Sequence, residues 1–277
     1  MSSANILPEV EKLLSDWWGV SSQHEYYLAL LSNLKKATDD NKVKNHAWVY
    51  STLLEGHFLY LEIFGLLAAE EFYQAWCKLE RLEILLANLR SNREYVNGDF
   101  GQSFLNNAVN SWQLLYPYKL FFSSREIIKK MSCSICHTPR SVLQGCRHRR
   151  GKLYAGELCN DVVEDFELIT YDLVSNPVIK ASVPFNSEID HYDYSALRAA
   201  LQIVETPREW FSAFKQGIPL AKHTGVHSPT FPCPCMRSIR NYEDCCMALP
   251  TTETDHIIFD VLSPRRPILS KLHDSMT

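Results

Sequence analysis

Eight of the nine cysteines lie in two short stretches, Cys133–Cys159 and Cys233–Cys246, and this clustering constrains the chain more than any other feature. The opening Met1-Ser-Ser-Ala-Asn-Ile-Leu-Pro carries neither a basic nor a long apolar region, so no secretory signal is expected and the thiols should stay reduced. A cytoplasmic location follows as an expectation. Clustered reduced thiols are metal ligands first and disulfides second. The ninth thiol, Cys77, sits beside Trp76 on an apolar helical stripe and reads as a small core residue.

The first cluster runs Cys133-Ser-Ile-Cys136-His137, then Cys146-Arg-His148, then Cys159. A C-x2-C turn sets two thiolates on one side of a tight knuckle, with backbone N–H groups facing the sulfurs. Zinc takes four such donors in a tetrahedron. Five donors compete for four places: Cys133, Cys136 and Cys159 rank first, followed by His148 and then Cys146. Cys159 precedes the polar run Asn160-Asp-Val-Val-Glu-Asp, which reads as a helix start. Knuckle, hairpin and a ligand at a helix N-terminus is the order of a treble-clef or ribbon-type finger.

The second cluster, Cys233-Pro-Cys235-Met-Arg-Ser-Ile-Arg-Asn-Tyr242-Glu-Asp-Cys245-Cys246, resembles the SEC-C metal-binding motif. That motif is found at the C-terminus of the SecA translocation ATPase, is appended to many bacterial proteins and typically reads C-P-C-G-S-G-x-x-Y-x-x-C-[CH]. The resemblance implies Cys233, Cys235, Cys245 and Cys246 as zinc ligands. The loop here is one residue longer, and Met236-Arg237-Ser238 replaces the Gly-Ser-Gly that eases the reversal. Such modules are accessory in many unrelated proteins, so the resemblance speaks to a metal rather than to an activity. Two zinc ions per chain are therefore expected. Four protein ligands leave no open coordination position, which marks both sites as structural rather than catalytic.

Hydrophobic residues make up 46% of the 277, enough for a substantial core. Apolar residues recur at three- and four-residue spacing from Trp48 to Leu89, and further helices are expected over Pro8–Trp18, His24–Lys36, Ser103–Leu115 and Tyr194–Lys215. Short β-prone runs occur at 168–171 and 178–183, and a final strand at His256–Leu262. The expected fold is mainly α. A helical domain over 1–124 is followed by a zinc module with an acidic β-prone extension over 125–190. A helical segment over 191–217 then leads to a SEC-C-like zinc module and C-terminal strand over 218–277.

Common catalytic signatures are absent: G-x-x-x-x-G-K-[ST], G-x-G-x-x-G, G-x-S-x-G, H-E-x-x-H and the deaminase H-x-E with P-C-x-x-C. Glu55, His57 and Glu62 lack a Glu-x-x-His pair, and Asp190-His191 and Asp255-His256 stand isolated. No apolar stretch reaches the roughly 18 residues of a membrane span.

Charge is sharply partitioned. Residues 125–156 hold eight bases (Arg125, Lys129, Lys130, Arg140, Arg147, Arg149, Arg150, Lys152) and one acid, whereas 161–193 holds eight acids and one base, Lys180. The basic half either contacts nucleic-acid phosphates, chiefly through Arg147, Arg149, Arg150 and Lys152, or docks the neighbouring acidic segment or an acidic protein. The sequence thus points to a non-enzymatic, zinc-binding interaction or adaptor protein, without a membrane partner. Its expected partner surface is the aromatic set Trp17-Trp18, Tyr26-Tyr27 and Phe58 to Trp76. The alternative is a nucleic-acid-binding protein.

Overall fold

The computed structural model describes residues 6–16, 24–143, 145–185, 192–219, 228–233, 240–245, 247 and 253–262. The chain divides into two compact units, Met1–Glu209 and Trp210–Thr277.

The first unit is built on α3 (Asn41–Ala68), which touches α1 (Ile6–Ser15), α2 (His24–Ala37), α4 (Phe72–Ser91) and α5 (Gln102–Leu115). Asp40 starts α3 by accepting from the Lys42 and Val43 N–H groups at 2.8 and 3.4 Å, which satisfies two donors that have no partner within the helix. The apolar period running from Trp48 to Leu89 is two helices rather than one. Glu70 adopts a left-handed φ of 59°, and the Glu70 and Glu71 N–H groups fold back on the Leu67 and Leu66 carbonyls at 3.1 and 2.9 Å. This reversal closes α3 and stacks α4 antiparallel to it. Arg198 on α6 (Ser195–Leu201) secures the turn by donating through Nε and Nη2 to Glu70 Oε2 at 3.0 and 2.8 Å.

Leu53, Leu54, Ile63, Leu67, Leu79, Leu82 and Trp112 form the fully buried centre of this core. Trp112 donates to the Tyr60 hydroxyl at 3.3 Å, and Tyr60 meets Phe104 edge-on. The aromatic residues expected to face a partner are largely core. Tyr27, Tyr60, Phe72 and Trp76 are buried and Phe58 stacks on His24 at 3.7 Å, because helices this aromatic close around their own rings. Trp17 and Trp18 lie outside the described residues.

A mainly α fold is not what forms. β1 (Phe121–Cys133, 13 residues) and β4 (Asp161–Val174, 14 residues) pair as a long antiparallel ribbon. In the second unit β5 (Trp210–Pro219) and β6 (Glu253–Leu262) make another, with 10 residues in each strand. The chain is α+β. The run after Cys159 is a strand and not a helix start, since its β-branched Val162, Val163 and Thr170 find ladder partners in β1. Of the helix expected over 194–215 only α6 forms; Trp210 onward pairs with β6, Phe211 and Phe259 stacking at 5.1 Å. The β-prone run 178–183 is not a strand. It lies against the ribbon base, where Phe122 N–H donates to Ser182 O at 2.8 Å.

The same base is clamped by α4. Trp76 Nε1 donates to Lys180 O at 2.6 Å, and Trp76 packs against Tyr116, Tyr118 and Phe121. No helix among the described residues is long and apolar enough to cross a membrane.

His57 is buried inside this bundle, with Nε2 donating to Phe100 O at 2.7 Å. Burial holds its pKa down to about 4, against 6.5 ordinarily, the Phe100 carbonyl opposing only in part. Because the folded value is lowered, the neutral imidazole contributes stability that is complete above pH 6.5 and lost as pH falls through 4, up to about 3 kcal/mol. The thermal midpoint of a His57→Gln variant, which keeps the donor and removes the titration, should therefore fall less than the parent's between about pH 7 and about pH 4.5.

Candidate metal centre

The far end of the ribbon carries the cysteine knuckle. Beyond Cys133 the chain reverses sharply: His137 N–H donates to Cys133 O at 2.8 Å, Cys133 N–H to Thr138 O at 3.0 Å, and Arg140 N–H to Met131 O at 2.8 Å. His137 takes a φ of 57° at this reversal. The Ile135 N–H points at Cys133 Sγ, 3.4 Å away, the N–H···S contact that a thiolate knuckle requires.

A second reversal follows the loop 141–150. β2 (Leu153–Tyr154) and β3 (Glu157–Leu158) form a hairpin through Ala155-Gly156, both at positive φ, and it is closed by Cys159 N–H to Lys152 O at 2.9 Å. Gly156 has no substitute at this turn. Its φ is 79°, and a Cβ would come within 3.0 Å of Lys44 Cβ and of the Lys44 carbonyl.

These turns bring Cys133, Cys136, Cys146 and His148 together, with one donor atom from each lying within 4.8 Å of all the others. Cys133 is buried, Cys136 exposed, and Cys146 and His148 half-buried. His148 presents Nδ1, 3.3 Å from Cys136 Sγ and 3.8 Å from Cys133 Sγ. For a zinc ion about 2.3 Å from each sulfur, the edge of a ligand tetrahedron is about 3.8 Å, so the group needs only small closure to seat one. The His148 ring is braced edge-on by Tyr154 at 4.5 Å, and the Tyr154 hydroxyl accepts from Arg149 N–H at 2.8 Å.

Cys159, ranked high from the sequence, stands beside this group. Its sulfur is 3.8 Å from Cys133 Sγ and accepts from Arg140 Nη2 at 3.3 Å. The loop donors Cys146 and His148 fill out the four because the loop folds back over the knuckle. Arg140 organises that loop. Its Nη2 also donates to His148 O at 2.9 Å, and its Nε lies 3.1 Å from Asp161 Oδ1 at the start of β4.

Burial would raise the Cys133 thiol, but hydrogen bonds from Arg140 and from the Cys136 and Ile135 N–H groups outweigh it and bring the value down to about 5. Hydrogen bonding to Thr138 lowers Cys136. Burial raises Cys146, and it carries Cys159 up to about 11. Hydrogen bonds from the protein itself thus favour the thiolate form at two of the four donors, Cys133 and Cys136.

The knuckle is fixed to the helices through two buried asparagines. Asn92, at the end of α4, donates to Gly151 O at 2.8 Å and accepts from Leu153 N–H at 3.1 Å. Asn45 on α3 accepts from Gly156 N–H at 2.7 Å. Lys152 adds an ion pair to Glu94 at 3.1 Å and a hydrogen bond to Ser91 O.

The basic half of the cluster is mostly neutralised within the chain. Arg125 pairs with Asp172 at 3.0 Å, Lys129 with Glu167 at 2.8 Å, and Lys130 with Glu164. Opposite charges in the sequence are thus opposite strands of one ribbon. Arg147, Arg149 and Arg150 remain exposed, as are Val142 and Leu143.

In the second cluster Cys233 is buried and Cys245 half-buried. Cys233 N–H donates to Arg240 O at 3.0 Å and Pro232 bridges Asn241, so Pro232-Cys233 and Arg240-Asn241 lie side by side. Cys235, Cys246 and Arg237 lie outside the described residues. Of the other candidates, Cys77 is half-buried on α4, and His57 is the core residue described above.

Comparison with protein-family models, with curated proteins and with solved structures finds no match for this chain.

Two substitutions probe the supports of the site. Asn92→Ala should lower stability by about 1–3 kcal/mol for each buried backbone group it leaves unpaired, read from the denaturant midpoint. Arg140→Met should weaken metal binding by roughly tenfold to hundredfold in chelator competition, because an outer partner orients the ligands.

Proposed function

We propose that this chain is a non-enzymatic interaction protein in which a structural zinc ion, held by Cys133, Cys136, Cys146 and His148, shapes a knuckle that a protein partner recognises. The convergence of those four donors on a knuckle sewn to the helical body carries this reading. Three thiolates and an imidazole saturate zinc and leave no place for substrate, which suits scaffolding rather than catalysis. The segment that carries Cys146 and His148 exposes Val142, Leu143, Arg147, Arg149 and Arg150, chemistry that fits an apolar pocket with an acidic rim. A second zinc would be held by Cys233, Cys235, Cys245 and Cys246 in the manner of the SEC-C motif, supported by the hydrogen bond from Cys233 N–H to Arg240 O. Thiolate ligation suits a reducing compartment such as the cytoplasm.

Nucleic acid is the weaker partner. Arg125, Lys129, Lys130, Arg140 and Lys152 are all engaged by acids of the chain, which leaves the three loop arginines as the exposed contacts.

Elemental mass spectrometry on tag-free protein tests the metal reading. The parent should carry about two zinc ions, and Cys136→Ser and Cys245→Ser about one each. Folded parent protein without metal would overturn it. Tight, steeply salt-dependent binding of nucleic acid, abolished by Arg149→Glu with Arg150→Glu, would replace the protein partner with a nucleic-acid one.

A further inference from the structure

The register of the β1/β4 ribbon sorts its side chains into two unlike faces. Directly paired residues share a face, and faces alternate along each strand. One face carries the pairs Phe122/Leu173, Ser124/Tyr171, Glu126/Leu168 and Ile128/Phe166. The other carries Ser123/Asp172, Arg125/Thr170 and Ile127/Glu167. A shift between Arg125 and Glu126 lets Ile169 bulge out of β4 and keeps Leu168 and Phe166 on the apolar side.

An antiparallel sheet with one apolar and one polar face is the pattern of a sheet covered on one side. Among the described residues nothing buries the apolar face. Phe122, Ile128, Phe166, Leu168, Tyr171 and Leu173 are each between 44% and 63% exposed. Three half-exposed rings and three half-exposed aliphatic chains amount to roughly 500 Å2, at the upper end of what monomers leave in water.

We propose that this face is covered by the same face of a second copy, the two ribbons packing antiparallel about a twofold axis with their knuckles at opposite ends. Two copies contribute about 1,000 Å2 of apolar surface before flanking contacts, the area a specific interface must reach. The residue pattern also suits a twofold. With the ribbons antiparallel and β1 over its counterpart, Phe122 meets Ile128 of the partner copy, Leu173 meets its Phe166, and Tyr171 meets its Leu168. The one acid on the face, Glu126, then lies over the partner's Ser124, a hydroxyl that can donate to it. The parallel alternative sets Glu126 over the partner's Leu168 and leaves a carboxylate buried without a partner. Like charges are not opposed, because Arg125, Asp172 and Glu167 occupy the outer face. Sheets so packed lie about 10 Å apart, close enough for the rings to interdigitate.

This pairing is independent of the metal reading, and the two are read separately on the same samples. Sedimentation equilibrium of the full chain over roughly 1–100 μM should give a dimer mass for the parent. Phe166→Glu and Tyr171→Glu should each weaken the association by more than about tenfold, with zinc content and circular dichroism unchanged, since both side chains are exposed in the single chain. Ile127→Glu, on the outer face, should leave the dimer intact. A parent that stays monomeric throughout, open-ended larger assemblies, or dissociation by Ile127→Glu as strong as by Phe166→Glu would each overturn the proposal.

Discussion

The arrangement of this chain depends on two carboxamides. Asn45 and Asn92 are buried on helices, and both spend their polar atoms on backbone groups of a hairpin that follows dozens of residues later. Inside a low-dielectric core such a group is costly unless paired, and the partners available here are the Gly151 carbonyl and the Leu153 and Gly156 N–H groups. The knuckle therefore has one seat. Its metal donors inherit a fixed orientation from the helical body, which a free finger on a flexible tether would lack.

The ribbon joins this seat to a second clamp near the start of α4, formed by the Trp76 indole, Phe121 and the Lys180 carbonyl. Between the clamps its ion pairs are exposed, and pairs of that kind contribute about 0–1 kcal/mol each. Their main effect is on pairing rather than on stability. Basic β1 against acidic β4 disfavours any register that sets like charges opposite. Attachment at both ends, with few helical contacts along its length, leaves both faces of the ribbon in water.

Much of the helical body was legible because its periodicity is dense and its turn residues conventional. The knuckle donors were legible in part: Cys133 and Cys136 stand out by their spacing, whereas Cys146 and His148 read as rivals for one place behind Cys159, because the sequence does not show that the loop brings both to the knuckle. The ribbon was not recognised. Asp161, Glu164 and Asp165 look like the first turn of a helix, and the β-branched residues between them carry the contrary signal. A basic run and an acidic run of similar length, flanking a cysteine turn, describe a hairpin whose strands attract one another. The three- and four-residue spacing of Trp210, Phe211 and Phe214 imitated a helix in the same way, although their partners lie more than forty residues downstream in β6. Asn45 and Asn92 gave no local sign at all. An asparagine on a helix is ordinary in sequence, and only the tertiary contact explains it.

The two asparagines also set an order of events. During synthesis the helices emerge first, and α3 and α4 pack before any of the knuckle has left the ribosome. Until residues 151–156 arrive, the bundle holds at its rim two carboxamides whose knuckle partners are missing, Asn92 keeping only its bond to Asn88 O, and the Trp76 indole waits longer still, for residue 180. The bundle is thus a template that is incomplete by itself, and the compact unit ends only at Glu209. Contacts spanning 111 and 104 residues close last, so the knuckle and the ribbon base act as a latch on a structure already formed.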